Sequence, residues 1–83
     1  MFYVYFLKSS KNGRLYIGST EDIEKRLGLH NAGKVKSTQF YTPWELLEYK
    51  EYSSRSEAVR MERFFKSHQQ RDIIKRRYGQ VAK

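Results

Sequence analysis

The fold is decided by residues 3–30, whose sequence is YVYFLKSSKNGRLYIGSTEDIEKRLGLH. Phe2–Leu7 is an unbroken aromatic and aliphatic run, which predicts a central strand covered on both faces. Asn12-Gly13 predicts a hairpin turn, because both residues tolerate positive φ. Residues 14–18 then form the returning antiparallel strand. The stretch therefore predicts a β-hairpin that is followed directly by a helix.

The helix after the hairpin is predicted from its cap and its end. Ser19 and Thr20 can cap the helix by accepting hydrogen bonds from its free amides. Glu21 and Asp22 then lie in the first turn, where the helix dipole favours negative charge. Asn31-Ala32-Gly33 predicts the end, because Asn and Gly adopt the left-handed conformation common at helix C-termini.

The remainder of the chain predicts one more strand and two more helices. Residues 34–43 form a polar connection, and residues 44–52 predict an edge strand whose charges discourage pairing with other chains. Ser54 and Glu57 form a capping box that opens a helix predicted to reach about Ser67. A short basic helix follows at about residues 69–78, which gives the order β-β-α-β-α-α. The predicted apolar face of the longer helix consists of Ala58, Met61, Phe64 and Phe65.

Length and composition bound the class of protein. Eighty-three residues predict one small domain over residues 1–83. There is no cysteine, which excludes a disulfide framework, a thiolate metal site and a cysteine nucleophile. No apolar run approaches the ~20 residues that span a bilayer, and the N-terminus lacks the pattern of a signal peptide. A cytoplasmic protein without a membrane partner is the default expectation.

The net charge of +8 predicts a polyanionic partner, and nucleic acid is the commonest one. Residues 60–77 alone carry seven Lys or Arg against two Asp or Glu, so most of the excess charge lies near one end. The alternative is a basic protein with no such partner. An anionic membrane surface is disfavoured, because no helix combines a lysine-rich face with a bulky apolar face.

Three side chains suggest chemistry and also have simpler explanations. Arg26 and His30 are four residues apart and project from one helix face; alternatively they are a solvated arginine and a helix-terminal histidine favoured by the dipole. Glu62 has apolar neighbours on its helix, and a buried carboxylate needs a partner. Either an arginine or a metal ion can supply it, since Mg²⁺ needs only one or two carboxylates beside phosphate oxygens and water.

Two tyrosines and a glycine on the predicted hairpin remain ambiguous from the residues alone. Tyr5 and Tyr16 are residues that strands favour, so each can be an ordinary core aromatic. Gly18 can ease the turn into the helix, or it can let a ligand approach the backbone closely.

The ordered set of these motifs resembles the GIY-YIG nuclease superfamily, and more closely its small single-domain bacterial members. Each motif is weak alone, but their order and spacing over about residues 2–66 are specific. Two departures stand out: Tyr3 and Val4 replace the eponymous glycine and isoleucine, and no asparagine follows Glu62. Either Gln69, Gln70 or a backbone group substitutes for that asparagine, or its role is absent. The matching motifs are Tyr3-Val4-Tyr5, Tyr16-Ile17-Gly18-Ser19-Thr20, Arg26 to Gly33, and Glu57-Ala58 to Glu62 and Lys66.

The resemblance implies a mixed α/β (α+β) fold, a three-stranded antiparallel sheet flanked by helices. It also implies hydrolysis of phosphodiester bonds in nucleic acid, DNA more than RNA, with one Mg²⁺ or Mn²⁺ on Glu62. Tyr5 would take the proton from the attacking water, directly or with help from His30. Tyr16 would position the water or a phosphate oxygen, and Arg26 would stabilise charge on the phosphate. The nucleic-acid-binding side chains would be Lys34, Lys36, Arg63, Lys66 and Arg71.

The expected proton chemistry depends on two pKa values. A free phenol has a pKa of about 10, so Tyr5 is a poor base unless Arg26 or the metal lowers that pKa. His30, with an ordinary pKa of about 6.5, can accept the phenolic proton at neutral pH.

Two other functions stay open. One is a nucleic-acid-binding module that keeps the fold and turns over little. The other is a protein-interaction domain that uses Phe40, Tyr41 and Trp44. No obligate protein partner is evident, and a role in DNA repair or processing is an expectation from the family alone.

Overall fold

The computed structural model describes residues 1–78 and contains a sheet with helices on both faces. Its mixed α+β order, β-β-α-β-α-α, confirms the prediction. None of the helices in this range is long and apolar enough to cross a membrane. The elements are β1 (Phe2–Ser9), β2 (Leu15–Thr20), α1 (Ile23–Asn31), a 3-10 turn (Gln39–Tyr41), β3 (Trp44–Tyr52), α2 (Arg55–Phe65) and α3 (His68–Arg77).

The three strands form one antiparallel sheet in the order β2-β1-β3. The apolar run of β1 occupies the centre and the charged β3 forms one edge, as the sequence predicts. Gly13 in the β1–β2 turn has φ of +77°, and its N–H donates to the Ser9 carbonyl over 2.9 Å. β2 forms the other edge of the sheet. Side chains from the two faces of the sheet can therefore approach each other around β2.

Alternation along β1 divides the core between the two faces of the sheet. Val4 and Phe6 pack with α2 and α3 through residues such as Ala58 and Ile74. Tyr5 and Leu7 point to the opposite face and pack with Trp44, Tyr16 and Leu27 of α1. The face that carries α1 is therefore the one that gathers the tyrosines.

The predicted helix cap at Ser19 and Thr20 is wrong. Both residues continue β2, where they pair with Val4 and Tyr3 of β1. Asp22 caps α1 instead, and its carboxylate accepts the Lys25 N–H over 3.1 Å. The ladder to β1 satisfies the backbone as far as Thr20, so the first capping side chain free of the sheet is Asp22. The predicted end is confirmed, with Gly33 at φ +74°.

The predictions for α2 are confirmed at its start and wrong at its end. Ser54 caps the helix by accepting the Glu57 N–H over 3.2 Å. The Glu57 carboxylate does not complete the box, because it accepts the Ser53 hydroxyl over 3.3 Å. The helix ends at Phe65 rather than near Ser67. Phe64 is 48% exposed and lies off the apolar face.

Helical periodicity explains which α2 side chains face the core. Met61 and Phe65 lie three and seven residues after the buried Ala58 and pack against the core. Glu62 lies four residues after Ala58 and therefore shares that inward direction. This position brings a partly buried carboxylate against the sheet.

Candidate active site

A hydrogen-bonded tyrosine and histidine form the centre of the candidate site. The Tyr5 hydroxyl lies 3.0 Å from Nε2 of His30, and the two residues are 2% and 0% exposed. Tyr16 packs beside them, with its ring centroid 6.2 Å from that of Tyr5 and 4.9 Å from that of His30. The hairpin and α1 thus bring together three of the side chains that the sequence identifies.

Thr38, which the sequence does not identify as a site residue, fixes the orientation of His30. Thr38 as a whole residue is 1% exposed. Its hydroxyl lies 2.8 Å from Nδ1 of His30 and donates to the Val35 carbonyl over 3.3 Å. The only hydroxyl proton of Thr38 is used in the bond to Val35, so the Thr38 oxygen accepts the Nδ1–H of His30. Nε2 of the neutral imidazole is then left as a hydrogen-bond acceptor. The Tyr5 hydroxyl therefore donates to His30.

Burial moves the two pKa values away from the expected ones. It raises the pKa of Tyr5 to about 12, although the nearby Arg26 guanidinium acts against this. It lowers the pKa of His30 to about 4, and the charge of Arg26 lowers it further. A separated phenolate and imidazolium would thus cost on the order of 10 kcal/mol. His30 therefore holds the Tyr5 proton in a hydrogen bond, and its role as the acceptor of that proton stays a prediction.

Gly18 makes room for the Tyr5 side chain. A Cβ atom at this position would lie 2.6 Å from the Tyr5 hydroxyl oxygen and 3.0 Å from Cε2 of Tyr16. Gly18 pairs directly with Tyr5 in the sheet, inside β2 rather than at its end. Both explanations offered from the sequence are therefore replaced, because the phenol of the protein itself occupies the space above the glycine.

We expect Gly18→Ala to destabilise the protein by about 2 kcal/mol or more, because the new methyl group overpacks the site. It also displaces Tyr5 and leaves His30 without its hydrogen bond. Urea denaturation measures the change. Gly28→Ala is the matched control, since nothing lies within 4 Å of a Cβ there, and alanine should stabilise that helix by about 1 kcal/mol. Equal stability of the Gly18→Ala and wild-type proteins would contradict this explanation.

The buried neutral His30 predicts that acid weakens the fold. Its pKa is about 6.5 in an unfolded chain and about 4 in the folded protein. The unfolded chain binds this proton first, so stability falls by about 3 kcal/mol as the pH drops from about 6.5 to about 4. Urea denaturation at pH 7.5 and at pH 4 measures the change in the free energy of unfolding. His68→Ala should keep this loss, because that side chain is 97% exposed, whereas His30→Asn should reduce it. An equal loss in the His30→Asn protein would contradict the assignment.

Arg26 connects the buried centre to solvent. The phenolic oxygens of Tyr5 and Tyr16 raise the pKa of its guanidinium, and the hydrogen bond to Tyr5 has the largest effect. Arg26 is half-buried and borders a cavity of about 400 Å³. A phosphate that entered this cavity would meet the Arg26 guanidinium but also the acidic residues Glu21 and Asp22, and Tyr5 is not among the residues that line it. The cavity is lined by Thr20, Glu21, Asp22, Lys25, Arg26 and Leu29.

Glu62 approaches from the opposite face of the sheet. Its Oε1 accepts the Ser19 hydroxyl over 2.6 Å, and its Oε2 lies 2.8 Å from Nζ of Lys66. Ser19 follows Gly18 and shares the sheet face of Ile17. The cationic partner of Glu62 is therefore Lys66 rather than an arginine. The Glu62 charge contributes to the raised pKa of Tyr5, so the two groups interact electrostatically around the edge strand β2.

The five expected catalytic residues are thus brought together only in part. Within residues 1–78, no hydrogen bond or ion pair joins Glu62 to Tyr5, Tyr16, Arg26 or His30. Gly18 and Ser19 connect the two parts of the site, because the Tyr5 phenol lies over Gly18 and the Glu62 carboxylate accepts the Ser19 hydroxyl. Ser19 had been assigned to a helix cap, and its strand position became evident only from the extent of β2.

The carboxylate of Glu62 fits a minimal site for a hard metal ion. The described residues hold no group of three or more His, Cys, Asp or Glu suited to a metal. Mg²⁺ nevertheless needs only one or two carboxylates, with water and substrate phosphate as its other ligands. Glu62 and the Ser19 hydroxyl supply hard oxygen atoms, and a cavity of about 230 Å³ borders the carboxylate. A metal would replace the Lys66 ammonium at Oε2.

The five side chains expected to bind nucleic acid differ in their exposure and in the contacts they already make. Lys34, Lys36 and Arg63 are exposed. Lys66 pairs with Glu62, and Nη2 of Arg71 donates to the Leu15 carbonyl of β2 over 3.3 Å. Arg71 therefore also holds α3 against the sheet. Binding of nucleic acid by these five residues stays a prediction.

The fold and the motif positions agree with a match to the family model described as the GIY-YIG catalytic domain, over residues 1–78. The chain belongs to the GIY-YIG family, whose members are generally nucleases. It is 43% identical to a UPF0213 protein of Streptococcus agalactiae over 65 residues, which cover 77% of this chain and 73% of the relative. A UPF0213 protein of Staphylococcus haemolyticus is 39% identical over 74 residues, covering 88% and 89%. The resemblance inferred from the motifs is confirmed.

A solved structure supports the same fold. The solution NMR structure of a UPF0213 protein from Bacillus halodurans aligns with a TM-score of 0.53 and 32% identity. The alignment covers 89% of this chain and 82% of the neighbour.

Proposed function

We propose that the protein is a nuclease that hydrolyses phosphodiester bonds in DNA by attack of water, with Mg²⁺ or Mn²⁺ at Glu62. The observation that carries the proposal is the buried series of hydrogen bonds from Tyr5 through His30 to Thr38. It is far more organised than ordinary core packing of a tyrosine requires. The family membership supports the same reaction class. Repair or processing of DNA in the cytoplasm is the cellular role we propose with it.

The hydrogen-bond directions define the role of Tyr5. Its proton points to Nε2 of His30, so its oxygen can accept a proton from a water that reaches it beside the Arg26 guanidinium. Because a separated phenolate is costly, the Tyr5 proton moves toward His30 only as the proton of the attacking water arrives. Tyr5 is thus the general base in a concerted relay: its oxygen takes the water proton as its own proton passes to Nε2 of His30, while Thr38 holds the His30 ring in the required orientation.

The other residues supply positioning and charge. Arg26 presents donors to the phosphate, where negative charge grows in the transition state. Tyr16 packs on His30 and lies near Arg26, so its hydroxyl can position the water or a phosphate oxygen. Glu62 and Ser19 would hold the divalent ion, which stabilises charge on the phosphate and the leaving oxygen when it is bound.

The positive charge supports DNA as the partner. Lys34, Lys36 and Arg63 are exposed, and the chain carries +8 overall. Contacts of this kind bind the phosphate backbone and weaken as salt rises, because binding releases counterions. Lys66 would contact phosphate once it leaves Glu62, and Arg71 would add a contact beside its bond to β2.

A nucleic-acid-binding module with little turnover is the second candidate. The ion pair of Glu62 with Lys66 favours it, since this ammonium occupies an oxygen that a metal would need. The pKa of Tyr5, about 12, also favours it, because deprotonation of such a phenol is difficult.

Cleavage assays separate the two candidates. Purified protein is incubated with end-labelled single-stranded, duplex and branched DNA and with matched RNA, in Mg²⁺, Mn²⁺ or EDTA. We expect cutting of DNA that requires the divalent ion and is faster than cutting of RNA. A protein that binds DNA in a salt-sensitive manner and cuts none of these substrates is the binding module. Cutting that persists in EDTA would contradict the proposed role of the metal.

A further inference from the structure

Among the described residues, Phe40 is the most exposed aromatic side chain, ahead of Tyr49 at 54% and Phe64 at 48%. Phe40, in the 3-10 turn, is 69% exposed. The structure separates it from the other two aromatics of the suggested protein-binding surface. Trp44 is buried, and Tyr41 packs against the core cluster while the Arg14 guanidinium lies 4.7 Å from its ring centroid. A single exposed ring is too small an apolar patch to dock a protein.

The backbone around Phe40 is firmly held. Its carbonyl accepts Nζ of Lys11 over 3.2 Å. The next residue, Tyr41, donates its N–H to the Thr38 carbonyl over 3.1 Å, and its carbonyl accepts the Ser9 hydroxyl over 2.6 Å. An aromatic ring presented from a fixed backbone loses little conformational entropy when it binds.

Positive charge surrounds this ring. Lys11 contacts the Phe40 carbonyl, and Arg14 covers the neighbouring Tyr41. Lys34 and Lys36 are exposed on the segment that leads to the turn, and residues 8–14 and 34–43 contain no Asp or Glu. An exposed aromatic beside clustered cations is the combination with which proteins bind single-stranded nucleic acid, by stacking on bases and attracting the backbone.

The same segment reaches the proposed active site. Thr38, two residues before Phe40, contacts Nδ1 of His30 over 2.8 Å. Phe40 therefore lies two residues along the chain from the side chain that contacts His30.

We propose that Phe40 stacks on an unpaired nucleobase of the bound nucleic acid. The favoured substrate is then nucleic acid with unpaired nucleotides, such as a single strand, gap or flap, rather than continuous duplex. A base inside a duplex has both faces covered by its neighbours, so Phe40 can reach only an unpaired or splayed base. This inference rests on the proposed nuclease function, which it extends to the choice of substrate.

The test measures binding without cleavage. Fluorescence anisotropy in EDTA compares the wild-type protein with Phe40→Ala, Phe40→Leu and Phe40→Trp on single-stranded and matched duplex DNA. Stacking on one base predicts that Phe40→Ala weakens single-strand binding roughly 5- to 100-fold. Duplex binding should stay unchanged, and Phe40→Trp should bind as tightly as wild type. Phe64→Ala is the matched control, because Phe64 is also exposed and lies on α2.

A fluorescent base distinguishes stacking from simple apolar contact. A single-stranded oligonucleotide that contains 2-aminopurine should be quenched by wild type and Phe40→Trp but not by Phe40→Leu. Unchanged single-strand binding by Phe40→Ala, or an equal loss on single strand and duplex, would overturn the inference. Phe40-dependent binding without any cleavage would overturn the nuclease proposal alone, and cleavage with Phe40-independent binding would overturn the stacking alone.

Discussion

Replacing Glu62 with glutamine is expected to lower the DNA-cleavage rate by about a thousandfold or more. A metal ion contributes several kcal/mol to stabilising charge in the transition state, and the neutral amide removes the carboxylate that lies beside the Ser19 hydroxyl and would hold the ion. The fold should persist, because glutamine can still accept the Ser19 hydroxyl. The lost ion pair with Lys66 is partly exposed and contributes at most about 1 kcal/mol.

Two measurements accompany the Glu62→Gln variant. Cleavage is followed in excess protein with labelled DNA, and Mn²⁺ binding is followed by electron paramagnetic resonance of the free ion. Glu57→Gln is the matched control, since Glu57 lies on α2 but its carboxylate bonds the Ser53 hydroxyl. Wild-type rates or wild-type Mn²⁺ affinity in Glu62→Gln would contradict the metal assignment.

Replacing Tyr5 with phenylalanine is expected to lower cleavage by about 10²- to 10⁴-fold, the range for removal of a general base. The ring remains in its place over Gly18, so the shape of the core is kept. Nε2 of the buried His30 loses its donor, which destabilises the fold by about 1–3 kcal/mol. Cleavage rates are measured where the variant is fully folded by circular dichroism.

The control for Tyr5→Phe is the same substitution two residues earlier on β1. Tyr3 lies on the same face of the sheet, but its ring packs against Tyr49 with centroids 5.6 Å apart. Tyr3→Phe should cut at close to the wild-type rate. A Tyr5→Phe protein that is folded and cuts equally well would show that the phenolic hydroxyl has no part in the reaction.

The sequence predicted the elements whose signals are local. Three predictions depend only on residues that are adjacent in the sequence, and the structure confirms them. They are the strand at the apolar run of β1, the turn at Asn12-Gly13 and the cap at Ser54. The cap of α1 was predicted wrongly, because Ser19 and Thr20 are good capping residues that directly precede Glu21 and Asp22. Only the length of the β1–β2 ladder, a nonlocal property, decided that Ser19 and Thr20 belong to the strand and Asp22 to the cap.

The candidate site was predictable where residues share one element or one hairpin. Helical spacing placed Arg26 and His30 on one face, and the hairpin placed Tyr5 beside Tyr16. Thr38 gave no such signal, since a threonine in a polar loop is ordinary and its contact with His30 depends on how that loop folds over the ring.

The shifts in pKa also lay beyond the sequence. They follow from complete burial of the imidazole and near-complete burial of the phenol, which no single residue type specifies. The position of Glu62 across β2 likewise depends on the packing of α2 against the sheet.

The central claim is that Tyr5 and Glu62 act in one reaction although they lie on opposite faces of the sheet. The most direct test is the single-turnover cleavage rate of wild type, Tyr5→Phe, Glu62→Gln and the double variant. If the two groups act as one unit in the reaction, their effects on the rate are not additive, and the double variant should cut no more slowly than the slower single variant. Effects that multiply, or a single variant that cuts at the wild-type rate, would contradict the claim.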